Sequence, residues 1–214
     1  MTMENVIDLS APGNQQGYHC WGCLGALSGR ALFCTHCGSI QPVRESDHFQ
    51  RLGLEKRIDI DMEAMSRNYA QWQRTFSPER FVIRSHTEQT YAAKHLEAIR
   101  AAYETLHDPI RRSRYWLELQ NPKEAGMAEN VLLPIVNELK SEFESAREAA
   151  QLDKLAHRTG QEIEFGIMKL LSSLRGQAWK EANEILASLD TMEVLMKDLR
   201  EKRQSMTHHG GAHK

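Results

Sequence analysis

Phe76-Ser77-Pro78-Glu79-Arg80-Phe81 is a short polar turn built on one proline. It stands between two segments of helical apolar periodicity. Before it, Met65, Tyr69, Trp72 and Phe76 recur at three- and four-residue spacing and form one stripe of an α-helix. Pro78 ends that helix, because the residue before a proline is pushed out of the helical region. After it, Ala92, Leu96, Ile99, Tyr103 and Leu106 form a second stripe, and Thr87 with Glu88 in the first turn predicts where that helix starts. Two apolar stripes joined by a polar loop predict an antiparallel hairpin with both stripes in its core.

Outward from the hairpin the chain continues to read as helix. Asp47 to Leu54 predicts a short helix stopped by Gly53, and Asp59 or Asp61 caps the helix that follows. Asp108-Pro109 is a cap followed by proline at the first helical position, so a fourth helix runs to about Leu119. Asn121-Pro122 to Gly126 breaks the pattern and predicts a domain boundary. From Asn130 to Arg203 three apolar stripes, interrupted near Gln151 and near Gly176-Gln177, predict a bundle of three long helices. The fold class is all-α: a helical hairpin domain over 47–120 and a three-helix bundle over 127–204. A small cysteine module over 18–43 precedes them, and residues 1–17 and 205–214 read as disordered tails.

Four cysteines fall between Cys20 and Cys37. The spacing Cys20-x-x-Cys23, ten residues, Cys34-x-x-Cys37 provides two tight turns whose thiolates can meet at one metal. Four protein thiolates leave no open position, so the expected centre is structural and zinc is the expected ion, with a rubredoxin-type iron centre as its rival. His19 and His36 flank the ligands and are not needed by them.

The remaining composition excludes more than it assigns. The chain has 214 residues, 41% hydrophobic and 26% charged, with a net charge of −2. No global basic field favours nucleic acid, and the cysteine module from Tyr18 to Ile40 has Arg30 as its single basic residue. No apolar run approaches the length of a membrane span. Residues Met1 to Gln16 fit neither a signal peptide nor a mitochondrial presequence, so the expected compartment is the cytosol. There is no phosphate loop, metal-activated water site or nucleophile–base pair, and an enzyme is not expected. His86, His95, His107 and His157 read as surface or edge residues, and Arg111, Arg112 and Arg114 as a solvated face.

Three blocks of sequence resemble the HscB family, J-domain co-chaperones of iron–sulfur cluster assembly. They are Asp47-His48-Phe49-x-x-Leu52-Gly53-Leu54, then Gln73-Arg74-x-Phe76-x-Pro78-x-Arg80-Phe81, then Ala98-Ile99-x-x-Ala102-Tyr103-x-Thr105-Leu106-x-Asp108-Pro109-x-x-Arg112-x-x-Tyr115. The cysteine module resembles the zinc extension of some members. The resemblance implies two partners, a DnaK/HscA-class chaperone and an IscU-type scaffold. It implies chaperone contact through the turn and through Arg67 and Arg74, and scaffold contact through Leu132, Leu133 and Val136. The family carries His-Pro-Asp where this chain has Ser77, Pro78 and Glu79. That change leaves a second expectation open: a pseudo-J adaptor or regulator that keeps the fold and the binding but does not stimulate the chaperone's ATPase.

Overall fold

The computed structural model describes residues 17–120 and 133–209, with side chains to residue 206. It divides by internal contacts into two units, residues 1–107 and 108–214.

The first unit opens with strand β1 (Tyr18–His19) paired antiparallel to β2 (Ala26–Leu27), followed by an antiparallel bridge between Phe33 and Ile40. Helix α1 (His48–Arg51) starts where Asp47 accepts a bond from the Gln50 amide at 2.8 Å, and stops where Gly53 takes a φ of +67°. Of the two aspartates offered as caps, Asp61 serves, accepting from the Ala64 amide at 2.9 Å at the start of α2 (Met62–Thr75). A 3₁₀ turn over Pro78–Arg80 leads to α3 (His86–His107). This helix begins before Thr87. Ser85 and Glu88 form a reciprocal cap, with the Glu88 amide donating to Ser85 Oγ at 3.3 Å and the Ser85 amide to the Glu88 carboxylate at 3.2 Å.

Helix α3 packs against both α1 and α2. Met65, Trp72 and Phe76 of α2 and Ala92, Ile99 and Leu106 of α3 are buried, as the two stripes require, together with Phe49 and Leu52 of α1. One core position is polar. His95 lies on the buried side of α3, between Ala92 and Ile99, and is 4% exposed. The surface role expected for it is therefore wrong; helical geometry puts position 95 on the same face as 92 and 99.

The second unit begins at Asp108, whose carboxylate accepts from the amides of Ile110 and Arg111 at 2.9 and 2.8 Å. Helix α4 (Pro109–Gln120) packs against α6 (Ala149–Arg175) and α7 (Trp179–His209), and α5 (Pro134–Ser145) packs against the same two. Helix α4 therefore contributes Ile110 and Leu117 to the core of the second unit. Arg112 is also buried, so it does not share a solvated face with Arg111, while Arg114 pairs with Asp190. Helices α6 and α7 approach closely at Gly166, where an added Cβ would lie 2.9 Å from Leu189 Cδ2. That close approach explains a glycine inside a long helix. The turn between them carries Gln177 at φ +57°. Helix α7 continues to His209, past Thr207, where a disordered tail was expected. The tail expected over residues 1–17 and the break at 121–126 fall almost wholly outside the described residues. No helix among the described residues is long and apolar enough to cross a membrane.

Candidate metal centre and the Ser77-Pro78-Glu79 turn

Two matching turns bring the four cysteines together. In the first, Cys20 N donates to Gly25 O and Leu24 N to Cys20 O, both at 2.9 Å; in the second, Cys34 N donates to Ser39 O and Gly38 N to Cys34 O, also at 2.9 Å. The fourth residue after the leading cysteine is left-handed in each, Leu24 at φ +59° and Gly38 at +73°. This folding aims all four sulfurs inward. Cys20 and Cys37 Sγ are 3.6 Å apart, as are Cys23 and Cys34 Sγ, and all four lie within 4.8 Å of one another. Ligands at about 2.3 Å from one tetrahedral ion would stand about 3.8 Å apart, so the group fits a single metal. His19 and His36 do not belong to it.

The electrostatics of the four thiols also call for a cation. Burial opposes ionisation of Cys20, but the Cys23 and Gly22 amides, the Gln41 side chain and Cys37 outweigh it and lower its pKa to about 6. At Cys23 the Gly25 amide favours the thiolate, while Cys37, burial, Cys34 and Cys20 together push it up to about 12. Cys20, and Cys37 through its contacts with Ser39, favour the thiolate while Cys23 resists it. A metal ion removes that conflict by deprotonating the set.

The centre is tied to the hairpin of its own unit. Gln41 Nε2 donates to Cys20 Sγ at 3.3 Å, and the Gln41 carbonyl accepts from His95 Nε2 on α3 at 2.9 Å. Phe33 stacks on Phe76 with ring centroids 5.8 Å apart, Phe76 stacks on His95 at 4.7 Å, and Trp21 meets Tyr91 edge-on at 5.8 Å. Spacing alone revealed the ligands but gave no sign of Gln41 or His95, because neither belongs to a motif.

Burial lowers the pKa of His95; its bond to Gln41 opposes this, and Arg51 adds to the lowering. The neutral ring with hydrogen on Nε2 is the folded form. Below the ordinary histidine value of 6.5 the unfolded chain therefore binds a proton that the folded chain refuses. Stability is full above that value, falls as pH drops through it, and levels off below the lowered folded value. Melts of the metal-loaded chain between about pH 7.5 and 5 are expected to show this loss, and a His95→Gln variant, which retains a donor for Gln41, is expected to show a shallower one. An unchanged slope would remove His95 from the account.

At the turn, Pro78 O accepts from the Phe81 amide at 2.9 Å and Ser77 O from the Arg80 amide at 3.0 Å. Ser77 Oγ donates to the Glu79 carboxylate, so the two residues that replace the family's imidazole and aspartate are bonded to each other. Arg67 and Arg74 are exposed along α2, Arg67 beside Glu63 at 3.4 Å. Just beyond the turn Val82 is 70% and Ile83 94% exposed, an apolar pair that periodicity did not single out.

Of the expected scaffold residues, the two that are described lie inward. Val136 is 0% exposed and belongs to the core, because it shares the inward face of α5 with Leu139. Leu133 is half-buried, with its amide donating to Ser188 Oγ at 3.0 Å, and Leu132 lies outside the described residues. Asn137, Glu138 and Lys140 make the open face of α5 polar. Among the described residues of the second unit, the exposed large apolar side chains are Phe165 and Met168 on α6 and Val194 on α7.

No protein-family model matches the chain. The chain is similar to the iron-sulfur cluster co-chaperone protein HscB homolog of Arabidopsis thaliana, 25% identical over 193 residues, covering 88% of this chain and 76% of that one. It is 28% identical over 181 residues to the human iron-sulfur cluster co-chaperone protein HscB, covering 79% of this chain and 76% of the relative. The crystal structure of human co-chaperone protein HscB superposes with a TM-score of 0.75 at 22% identity, over 87% of this chain and 98% of that one. Along most of its length the chain is similar in sequence to proteins named HscB, and it shares the fold of one of them, with a four-cysteine module before its hairpin and Ser-Pro-Glu in the turn.

Proposed function

We propose that the protein is a co-chaperone of iron–sulfur protein maturation that brings an IscU-type scaffold to a DnaK/HscA-class chaperone. The observation that carries this reading is the similarity in sequence to proteins named iron-sulfur cluster co-chaperone, one of which also shares the fold. The hairpin over 47–120 acts as the J-domain, with Arg67, Arg74 and the Ser77-Pro78-Glu79 turn facing the chaperone. The bundle over 127–204 takes the scaffold through Leu132 and Leu133, next to the start of α5, while Val136 belongs to the core. The protein performs no reaction of its own. The four thiolates hold a structural zinc ion, which a closed sulfur site favours, in a reducing compartment such as the cytosol.

A second reading rests on one specific contact. Because Ser77 donates to Glu79, the turn's carboxylate is already engaged, and a chaperone arginine would have to compete for it. On that ground the chain is a pseudo-J adaptor that binds without stimulating hydrolysis.

Two measurements test these readings. Immobilised protein is expected to retain an IscU-type scaffold, and the double change Leu132→Ala, Leu133→Ala is expected to cut retention at least about tenfold, as truncation of apolar interface anchors does. Val136→Ala is expected instead to lower stability by about 2 kcal/mol through its cavity. Failure to retain any scaffold would remove both readings. In single-turnover assays the chain is expected to stimulate the chaperone weakly or not at all, and strong stimulation abolished by Pro78→Ala would remove the second.

A further inference from the structure

The two ligand turns of the first unit present their cysteines unequally. The leading cysteine of each is buried, Cys20 at 0% and Cys34 at 3% exposure, while the trailing ones, Cys23 and Cys37, are exposed. Hydrogen bonds hold the buried sulfurs in place. Cys20 Sγ accepts from the Gly22 amide and from Gln41 Nε2, each at 3.3 Å, and Cys34 Sγ accepts from the His36 amide at 3.4 Å. A small solute can reach one sulfur of each turn, and the other stays fixed behind it.

The 3.6 Å sulfur contacts cross from one turn to the other, Cys23 to Cys34 and Cys37 to Cys20. Each exposed sulfur therefore faces a buried sulfur of the opposite turn. Thiolate character and exposure select a cysteine for oxidation, and a second thiol within reach resolves the product as a disulfide. Metal binding keeps all four as thiolates, so exposure decides where attack begins and the cross-turn contacts decide which partner resolves it.

We propose that Cys23 and Cys37 are sites of oxidation by hydrogen peroxide, and that the disulfides formed are Cys23–Cys34 and Cys20–Cys37, each joining the two turns. In each pair the exposed thiolate attacks the peroxide: an S–O bond forms, the O–O bond breaks and hydroxide leaves. The buried thiolate then attacks that sulfur: the S–S bond forms, the S–O bond breaks and a second hydroxide leaves. Two thiolates give up two electrons and one peroxide takes them. An ion held by the four sulfurs is released, because its ligands must be thiolates. The pairing decides what happens to the hairpin. Cross-turn disulfides fasten the two turns together as a metal does, so Phe33 stays on Phe76 and the Gln41 carbonyl on His95. Removal of the metal by a chelator leaves the turns unfastened.

The full zinc-loaded chain is treated with hydrogen peroxide, and released zinc, free thiols and unreduced peptides are followed. Zinc release is expected to accompany the loss of all four thiols. Under denaturing conditions trypsin cuts after Arg30, between Cys23 and Cys34. The peptide of Cys20 and Cys23 is expected to stay joined to that of Cys34 and Cys37 until dithiothreitol is added, and fragmentation of the joined pair is expected to place the links at Cys23–Cys34 and Cys20–Cys37. Amide protection along α2 and α3 is expected to survive oxidation and to fall in the chelator-treated chain. Separate peptides, each bridged within its own turn, would overturn the assignment. So would thiols that resist peroxide, zinc release with sulfinic or sulfonic acids in place of disulfides, or loss of hairpin protection on oxidation. The inference rests on the zinc ion proposed for this centre, and zinc that failed to bind before peroxide was added would remove both.

Discussion

Stripping the metal from the full chain, or replacing Cys34 with serine, is expected to unfold the cysteine module and to loosen the hairpin behind it. Structural zinc sites in small modules contribute on the order of 10 kcal/mol or more of apparent free energy, and the module has little else to hold it. Its strands are two residues each, and its ligand turns hold Leu24 in a left-handed conformation that only the surrounding bonds maintain. The effect should not stop at Ile40. Loss of the module removes Phe33 from Phe76 and the Gln41 carbonyl from His95, exposing an aromatic core side chain and leaving a buried ring nitrogen unpaired. Uncovering Phe76 costs about 1.5–3 kcal/mol and the orphaned imidazole about 1–3 kcal/mol. Amide exchange is expected to show lost protection along α2 and α3 of the metal-free chain while α6 and α7 stay protected. The direction with pH follows from the ligands, which must be thiolates: protons compete with the metal, so acid favours its release. Hairpin protection that survived metal removal unchanged would show that the module folds apart from the helices it touches.

Much of the fold was legible because it obeys local rules. The stripe from Met65 to Phe76 could face only a core, and Asp61 and Asp108 are caps by chemistry. The ligands were legible for the same reason, since two Cys-x-x-Cys turns meet at one point whatever surrounds them. What escaped the sequence depends on contacts distant along the chain. His95 is polar and reads as surface, yet its place is set by Gln41, 54 positions earlier, which offers a carbonyl in the core. The cap expected at Thr87 belongs to Ser85, through its reciprocal bonds with Glu88. Val136 belongs to an apolar run that cannot all point inward, and helix rotation, set by packing on α6 and α7, sends Val136 in and leaves Asn137 out.

The double change Ser77→His, Glu79→Asp is expected to raise the protein's stimulation of chaperone ATPase. Pro78 already shapes the turn, and the 3₁₀ bonds from Phe81 and Arg80 keep that shape with either pair of side chains. The expected fault lies in the side chains. Glu79 accepts from Ser77, so its charge is directed along the turn, and its extra methylene moves the carboxylate from the position an aspartate would hold. Removing the hydroxyl frees the carboxylate, and shortening the side chain resets its reach. A regained charge-assisted bond to the chaperone is worth about 1.5–3 kcal/mol, or roughly ten- to a hundredfold in single-turnover stimulation. The two changes act on one contact, so each alone should yield much less than half the combined free energy. Pro78→Ala added to the double variant should return it to the baseline, which separates a restored turn from a new adventitious contact. If the double variant stays silent while still binding the chaperone, the deficit does not lie in the turn. It would then have to be sought in the exposed Arg67 and Arg74 face or at Val82 and Ile83, where two apolar side chains stand in solvent beside the site a chaperone would approach.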